Sequence, residues 1–329
     1  MGKAKARGLS LLSGGLDSQL AVKVLERAGA CMECIVFETP FFSAASAKKA
    51  ASALGVKLHV VDFTDDEIAL LKNPPHGFGS AMNPCIDCHA TMIRRAGEMM
   101  SRLGFDFVST GEVLGQRPMS QNRQALGIVE KTAALAGRLV RPLSARLLEP
   151  TLPETEGLLD RDMLLDISGR RRDRQLALAA EFGLSEFPSP AGGCKLTEAG
   201  FARRLADLMN HEGLDNRRLV DLIVTARRFR LPTGSSLILG RDEKENAVLR
   251  ENSDLGIFME CASASGPSAI VPRLVSESDL SAAAGIVVSY SKAASSAEPV
   301  EVSCLRDGAR ASVFAAAMPR DKSKELQIF

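Results

Sequence analysis

A doubly wound α/β parallel sheet followed by a smaller α+β domain is the fold the sequence predicts, and three observations predict it. Up to about residue 190, short apolar runs alternate with segments of helical period, as a parallel sheet covered on both faces requires. The first of these runs, Leu9 to Leu12, turns through Ser13-Gly14-Gly15-Leu16-Asp17-Ser18 into Leu20, Ala21, Val24 and Leu25 at helical spacing. The length, 329 residues, exceeds one typical core and suits two domains.

Five strands are expected in the first domain: Leu9 to Leu12, Ile35 to Phe37, Lys57 to Val61, Phe105 to Ser109, and Leu139 to Val140. Helices are expected over Asp17 to Ala28, Ala45 to Leu54, Cys88 to Leu103 and Asn122 to Ala136. The loops at the C-terminal ends of such strands form the rim where α/β folds take ligands. From Leu143 to Gly183 the pattern becomes helical and charged, with Arg170, Arg171, Arg172 and Arg174 close together. The Pro-Ser-Pro-Ala-Gly-Gly stretch at Pro188 to Gly193 is the strongest break, which sets the domains at 1–190 and 191–329. Two amphipathic helices follow, Glu198 to Asn210 and Asp215 to Thr225, and then β-like runs between turns.

The loop at Ser13 is a phosphate cradle by its own physics. Gly14 and Gly15 lack a Cβ, so the backbone can take φ > 0 and approach phosphate oxygens closely. Leu16, Asp17 and Ser18 fall at the helix start, where free N–H groups and the helix dipole favour an anion. The hydroxyls of Ser13 and Ser18 can add donors, and the Asp17 carboxylate is placed to hold Mg²⁺ on a nucleotide. The Gly-Lys-Ser/Thr ending of the other common phosphate loop is absent.

Composition narrows the function classes. With 45% hydrophobic and 25% charged residues the chain is an ordinary globular protein, and a net charge of +1 leaves nucleic-acid affinity to local patches. One such patch is expected between Arg203 and Arg230, where seven arginines (203, 204, 217, 218, 227, 228 and 230) outnumber the acids Asp207, Glu212, Asp215 and Asp221. Together with Arg170 to Arg174 it would make a stripe for phosphate contacts, although such runs more often form a solvated face. Trp is absent and Tyr290 is the one tyrosine, which argues against recognition by base stacking. No apolar stretch approaches the roughly 20 residues of a membrane span. Met1 to Gly8 lacks an apolar signal core, so a cytoplasmic protein with no membrane partner is expected.

Seven cysteines without a secretion signal read as thiols or metal ligands. Cys85 and Cys88 stand in Asn-Pro-Cys-Ile-Asp-Cys-His, and Cys194 lies in Ala-Gly-Gly-Cys-Lys-Leu-Thr. Pro84 extends the chain before the pair, and Cys88 at a helix start is expected to have a lowered thiol pKa. Three cysteines are one short of a full metal shell. They could hold a [4Fe–4S] cluster with one iron free for sulfide, or Cys88 and Cys194 could carry and resolve a persulfide. A structural zinc site would take His89 as fourth ligand. Cys31, Cys34, Cys261 and Cys304 are assigned to packing.

The Ser-Gly-Gly-Leu-Asp-Ser loop resembles that of the N-type ATP pyrophosphatases, which cleave ATP between the α and β phosphates. After the fourth strand comes Ser-Thr-Gly-Glu-Val-Leu-Gly-Gln-Arg-Pro-Met-Ser-Gln-Asn, residues 109 to 122. The two motifs together strongly resemble the catalytic domain of the tRNA 4-thiouridine synthase family, as do Arg141-Pro142-Leu143 and the placement of Cys194. The Asn-Pro-x-x-x-Cys pattern at Asn83 to Cys88 is also similar to that of the tRNA 2-thiouridylases. Residues 240 to 246, Gly-Arg-Asp-Glu-Lys-Glu-Asn, with Gly266-Pro267-Ser268 and Ala282 to Lys292, resemble the RNA-binding domain of the NFACT family.

The resemblance implies an adenine nucleotide α-hydrolase-like fold and ATP-dependent thiolation of a tRNA uridine, 4-thiouridine favoured over 2-thiouridine. ATP with Mg²⁺ would occupy Ser13 to Ser18, with adenine at the rim by Phe37. Gly111 and Gln116 would help to bind ATP, and Glu112 with Gln116 to Gln121 would line the target pocket, although capping and loop packing are equally ordinary roles for them. Cys194, Cys88 and Cys85 would handle sulfur supplied by a cysteine desulfurase or free sulfide. A homodimer is compatible with the sequence. Two other readings remain: an adenylating ligase or amidotransferase acting on a small acid or amide, and a non-catalytic RNA-binding protein with a relict ATP site.

Overall fold

In a computed structural model the described residues are 5–117, 119–189 and 193–329. They divide into two units, the first ending at Thr197 and the second starting at Glu198. The sequence set this division at 190/191, in a stretch whose residues 190–192 lie outside the described ones. Residues 193–197 go with the first unit because the Lys195 N–H donates to the Phe41 carbonyl at 2.9 Å and Leu196 is buried.

In the first unit the strands β1 (Arg7–Leu11), β2 (Cys31–Glu38), β3 (Leu58–Asp62), β4 (Phe107–Ser109) and β5 (Leu139–Val140) form one parallel sheet ordered β3-β2-β1-β4-β5. The chain leaves β1 toward one edge and returns to β4 on the other side, so β1 and β4 flank the point where strand order reverses. Both faces are covered. Along β2, Cys34 and Val36 join one core with Leu16, Leu20 and Val24 of α1 (Leu16–Arg27) and Ala47, Ala50 and Leu54 of α2 (Ala45–Leu54). Ile35 and Phe37 alternate into the other core, with Phe63, with Ile93, Ala96 and Met100 of α4 (Cys85–Leu103), and with Val129 of α5 (Arg123–Thr132).

The helix α3 (Thr64–Lys72) was not expected. Its signals are local: Asp65, Asp66 and Glu67 in the first turn, and buried Ile68 and Leu71 three apart. The expected helical stretch from Leu143 to Gly183 is mostly irregular, with the four-residue α6 (Leu152–Thr155), α7 (Asp173–Glu181) and two single 3-10 turns at Ala145–Leu147 and Arg161–Met163. Pro150 and the turns at Gly157 and Gly169, both with positive φ, interrupt it.

The second unit holds α8 (Ala199–His211), α9 (Arg217–Thr225), β6 (Arg227–Arg230), β7 (Ser236–Leu239), α10 (Glu243–Glu251), β8 (Ile257–Cys261), β9 (Ala269–Val271), α11 (Glu277–Ser289), β10 (Val300–Arg306), β11 (Ala309–Ala315), α12 (Arg320–Glu325) and β12 (Gln327–Ile328). Its antiparallel sheet runs β11-β10-β8-β9-β7-β6-β12. Core residues Ala283, Ala284, Ile286, Val287 and Val288 of α11 pack against it. Among the described residues no helix is long and apolar enough to cross a membrane.

Three arginines of the run are occupied in ion pairs within the second unit. Arg228 is 1% exposed and pairs with Asp207 at 2.5 Å and with Glu212. Arg230 pairs with the same two carboxylates at 2.6 and 3.0 Å, and Arg218 with Asp254 at 2.6 Å. Burial forces this outcome at Arg228, because a guanidinium inside the fold needs a carboxylate beside it, whereas the Arg218 pair lies at the surface.

Candidate active site

The first strand ends in a helix terminus left open for an anion. Gly15 caps α1 without any side-chain hydrogen bond, so the first-turn N–H groups of Leu16, Asp17 and Ser18 point at the rim. Leu16 is itself buried, so only its backbone can serve a ligand. Gly14 has φ +83°, and a Cβ there would sit 2.4 Å from the Ser46 carbonyl carbon. Glycine is therefore required at 14 on two counts. The loop is braced from within: Ser18 Oγ donates to the Gly15 carbonyl at 2.8 Å, and Ser13 Oγ lies 3.3 Å from both Ser18 Oγ and the Gly15 nitrogen. Gln19 Nε2 donates to the carbonyls of Gly14 and Glu186 at 2.9 and 3.0 Å.

The second motif meets this loop directly. A Cβ on Gly111 would lie 2.6 Å from the Ser18 nitrogen and 2.7 Å from the Asp17 carbonyl carbon, so only glycine lets the two segments touch. Gln116 Nε2 donates to Asp17 Oδ2 at 3.1 Å, while Asp17 Oδ1 is buried with no partner. Burial raises the Asp17 pKa, against the Gln116 hydrogen bond and the charges of Arg172 and Arg117. Arg172 was missed as a site residue, since its run reads as a surface charge cluster; its Nε is also buried and unpartnered.

Glu112 is a brace rather than a pocket wall. It is 4% exposed and accepts from Arg141 Nε at 2.9 Å and Thr110 Oγ1 at 3.0 Å, with His89 Nδ1 at 3.4 Å. Although burial acts to raise its pKa, the His89 hydrogen bond and the Arg141 charge prevail and lower it to about 2. Ser120 and Gln121 are buried in the same loop. Phe37 is 4% exposed and packs edge-on against Phe63 with centroids 5.3 Å apart, so its ring belongs to the core and not to an adenine site.

Cys85, Cys88 and Cys194 come together in the first unit, near enough that Cys85 and Cys194 each raise the Cys88 thiol pKa. Asp87, two residues into α4, accepts from the His76 backbone at 2.9 Å and lies 2.6 Å from His76 Nδ1, fixing the preceding loop. Asn83 Nδ2 lies 3.1 Å from Cys85 Sγ. The expected low pKa at Cys88 is not found. The thiol is almost fully buried and donates to Glu67 Oε2 at 3.1 Å, so desolvation and that carboxyl push it well above the ordinary range. Cys194 is pushed up to about 12, chiefly by burial, against backbone N–H groups of Leu196 and Thr197. Burial also raises Glu67 to about 7, and its Oε1 has no partner. Sequence reading missed Glu67 with its helix.

Among the described residues no three His, Cys, Asp or Glu side chains stand in an arrangement that holds a metal ion. Cys88 Sγ faces Glu67 instead, so the thiols as folded do not fit a cluster. Asp17 Oδ1, an orphaned buried oxygen at a phosphate loop, does fit Mg²⁺.

Each unit contains a stretch similar to a known protein family. Residues 3–145 match the family model of the thiamine biosynthesis protein ThiI, and residues 226–326 match that of the NFACT protein RNA binding domain. A probable tRNA sulfurtransferase from Thermoanaerobacter sp. (strain X514) is 30% identical over 142 residues, 40% of this chain and 35% of that protein. The tRNA-specific 2-thiouridylase MnmA of Sulfurimonas denitrificans is 31% identical over 115 residues, 31% of this chain and 33% of that one. The chain thus spans about a third of the length of these curated relatives. A solved 4-thiouridine synthetase–RNA complex with bound ATP aligns at TM-score 0.39 and 22% identity, over 54% of this chain and 41% of that one. The chain thus carries a stretch similar to the ThiI family within its first unit and a stretch similar to the NFACT RNA-binding domain within its second.

Proposed function

We propose that the chain is an ATP-dependent tRNA sulfurtransferase, making thiouridine with ATP bound at Ser13 to Ser18. The observation that carries this reading is a continuous line of contact from phosphate loop to thiols. Gly111 lies against Ser18, its neighbour Glu112 meets His89, and His89 follows Cys88 on α4.

A uridine carbonyl oxygen attacks the α-phosphorus of ATP and expels pyrophosphate, whose charge the open N–H groups of Leu16, Asp17 and Ser18 stabilise. Arg172 and Arg117 add positive charge near Asp17. Asp17 Oδ1 would hold Mg²⁺, which supplies charge neutralisation on the nucleotide phosphates. The adenylated oxygen then leaves as AMP when sulfur attacks the ring carbon.

With hydrosulfide as nucleophile the exchange ends there. With a persulfide on Cys194, made by a cysteine desulfurase, the terminal sulfur bonds to the ring carbon, and the Cys88 thiolate attacks the Cys194 sulfur. Thiouridine is released, a Cys88–Cys194 disulfide remains, and an external thiol reduces it. No step is routed through an iron–sulfur cluster, which would require Cys88 to turn away from Glu67. The second unit supplies RNA affinity.

The test is pyrophosphate release from ATP by the purified chain, with and without unmodified tRNA. Release stimulated by tRNA and absent in Gly111→Ala supports the reading. Release stimulated instead by a small acid or amide, and indifferent to tRNA, would replace it with a ligase.

A further inference from the structure

Tyr290, at the end of α11, gathers guanidinium groups around one ring. The Arg320 guanidinium carbon lies 3.9 Å from the ring centroid and that of Arg227 lies 4.8 Å from it, while Phe229 packs edge-on at 6.1 Å. Arg227 Nη1 also donates to the Gly240 carbonyl at 3.2 Å, which brings it beside Arg241. Burial disfavours the charge on Arg227, and Arg241 and Arg320 each add to that effect while Glu245 opposes it; burial and Arg241 likewise disfavour the charge on Arg204.

Neutralisation is incomplete. Glu245 pairs with Arg241 at 2.7 Å, but among the described residues neither Arg227 nor Arg320 makes an ion pair with a carboxylate. Arg228 and Arg230, in the same strand as Arg227, are fully matched by Asp207 and Glu212. The fold thus pairs two arginines of one strand with carboxylates and leaves the third stacked on Tyr290 without an ion pair of its own, with Glu245 shared with Arg241.

We propose that Arg227 and Arg320, oriented on Tyr290 with Arg241 beside them, form a binding site for the phosphodiester backbone of RNA. Three features support phosphate as the ligand. Guanidiniums bind phosphate oxygens through paired donors, their mutual repulsion is relieved by an anion, and cation–π stacking fixes them before binding. The ring serves the arginines, so the site positions RNA without reading bases. The choice of RNA over another polyanion rests on the tRNA reading above and on the match of residues 226–326, which include all four groups, to an RNA-binding domain.

The experiment uses the full chain and fluorescein-labelled, unmodified tRNA transcripts of two unrelated sequences, read by anisotropy from 50 to 300 mM salt without ATP. Arg227→Gln with Arg320→Gln is expected to raise Kd about tenfold for both tRNAs. The slope of log K against log salt should fall by about two, one per phosphate contact. Arg306→Gln with Arg310→Gln, which removes the same charge from exposed positions on β10 and β11, is expected to change Kd less than twofold. Arg320→Gln alone, at an exposed position, gives an independent reading should the Arg227 change unfold the unit.

Unchanged Kd and slope in a folded Arg320→Gln protein would overturn the site. So would an equal loss in the Arg306/Arg310 control, or a loss confined to one tRNA sequence. If the wild-type chain binds tRNA through these arginines but forms no thiouridine, the site stands and the sulfurtransferase reading falls. Thiouridine formation with unaltered binding by the variants gives the reverse.

Discussion

Glu112 and Glu67 are both buried carboxyls of the first unit, and the fold pushes them in opposite directions. Glu112 meets Arg141 and His89 and is held down at about 2; Glu67 meets the Cys88 thiol and is raised to about 7. The difference separates the two halves of the site. Around Glu112, in the motif that packs on the phosphate loop, buried charges are paired and held in place. Around the thiols charge is suppressed, so Cys88 and Cys194 rest as protonated, unreactive groups until substrate or a sulfur donor alters their surroundings.

The most severe way to break this comparison acts on the preorganised half. Gly111→Ala forces a Cβ to within 2.7 Å of three backbone atoms of the phosphate loop, so ATP binding by calorimetry should weaken at least a hundredfold. Cys88 should then alkylate at its wild-type rate, since its own surroundings are untouched. Wild-type ATP affinity in this variant would show that the loop and second motif do not act as one unit.

Next in size is the brace. Glu112→Ala leaves the Arg141 guanidinium, 4% exposed, with only Glu130 as a carboxylate partner, and should cost about 3–5 kcal/mol in urea unfolding. The sign with pH follows from the lowered value. The folded state releases this proton more readily than the unfolded one, so the Glu112 contribution is full above about 4.5 and disappears as pH falls toward about 2. Its upper limit is about 3 kcal/mol from a shift of that size. Glu112→Gln should flatten the acid limb of the stability curve.

Glu67 gives the opposite slope. Its pKa is raised in the folded state, so the stability it confers is full below about 4.5 and is lost as pH rises through about 7. Glu67→Gln should therefore stabilise the protein at pH 8, by up to about 3 kcal/mol, with no gain at pH 4. The same variant removes a carboxylate that raises the Cys88 thiol, so Cys88 should alkylate several-fold faster at pH 8 while ATP affinity stays unchanged. A smaller effect is expected from Asn83→Ala, which removes the contact at Cys85 and the Asn83 Oδ1 acceptor for the Ala81 N–H. About 1 kcal/mol of stability should be lost, with ATP binding intact.

The same contrast explains what the sequence revealed. The open helix start after β1 was legible because it is built from backbone, and glycines at 14 and 15 before a helical period announce it without reference to anything distant. The five parallel strands were legible because burial on both faces leaves uninterrupted apolar runs such as Cys34 to Phe37. The thiol half was legible only in part. The convergence of Cys85, Cys88 and Cys194 followed from their motifs, but the sign of the Cys88 shift is set by Glu67, 21 residues earlier on a helix the sequence reading did not place. Charge was hardest to read. In the run from Arg203 to Arg230, pairing across the second unit decides which guanidiniums are internal, and composition carries no trace of pairing.

The central claim, that the phosphate loop and the thiols serve one reaction on tRNA, is tested most directly by nucleoside mass spectrometry. Unmodified tRNA would be incubated with the full chain, ATP, and either sulfide or a cysteine desulfurase with cysteine. A thiouridine that appears only with ATP, and that is lost in Gly111→Ala with either sulfur source, is the predicted result. With the desulfurase it should also be lost in Cys194→Ala. No thiouridine from the wild-type chain, under conditions where a reference sulfurtransferase forms it, would contradict the account.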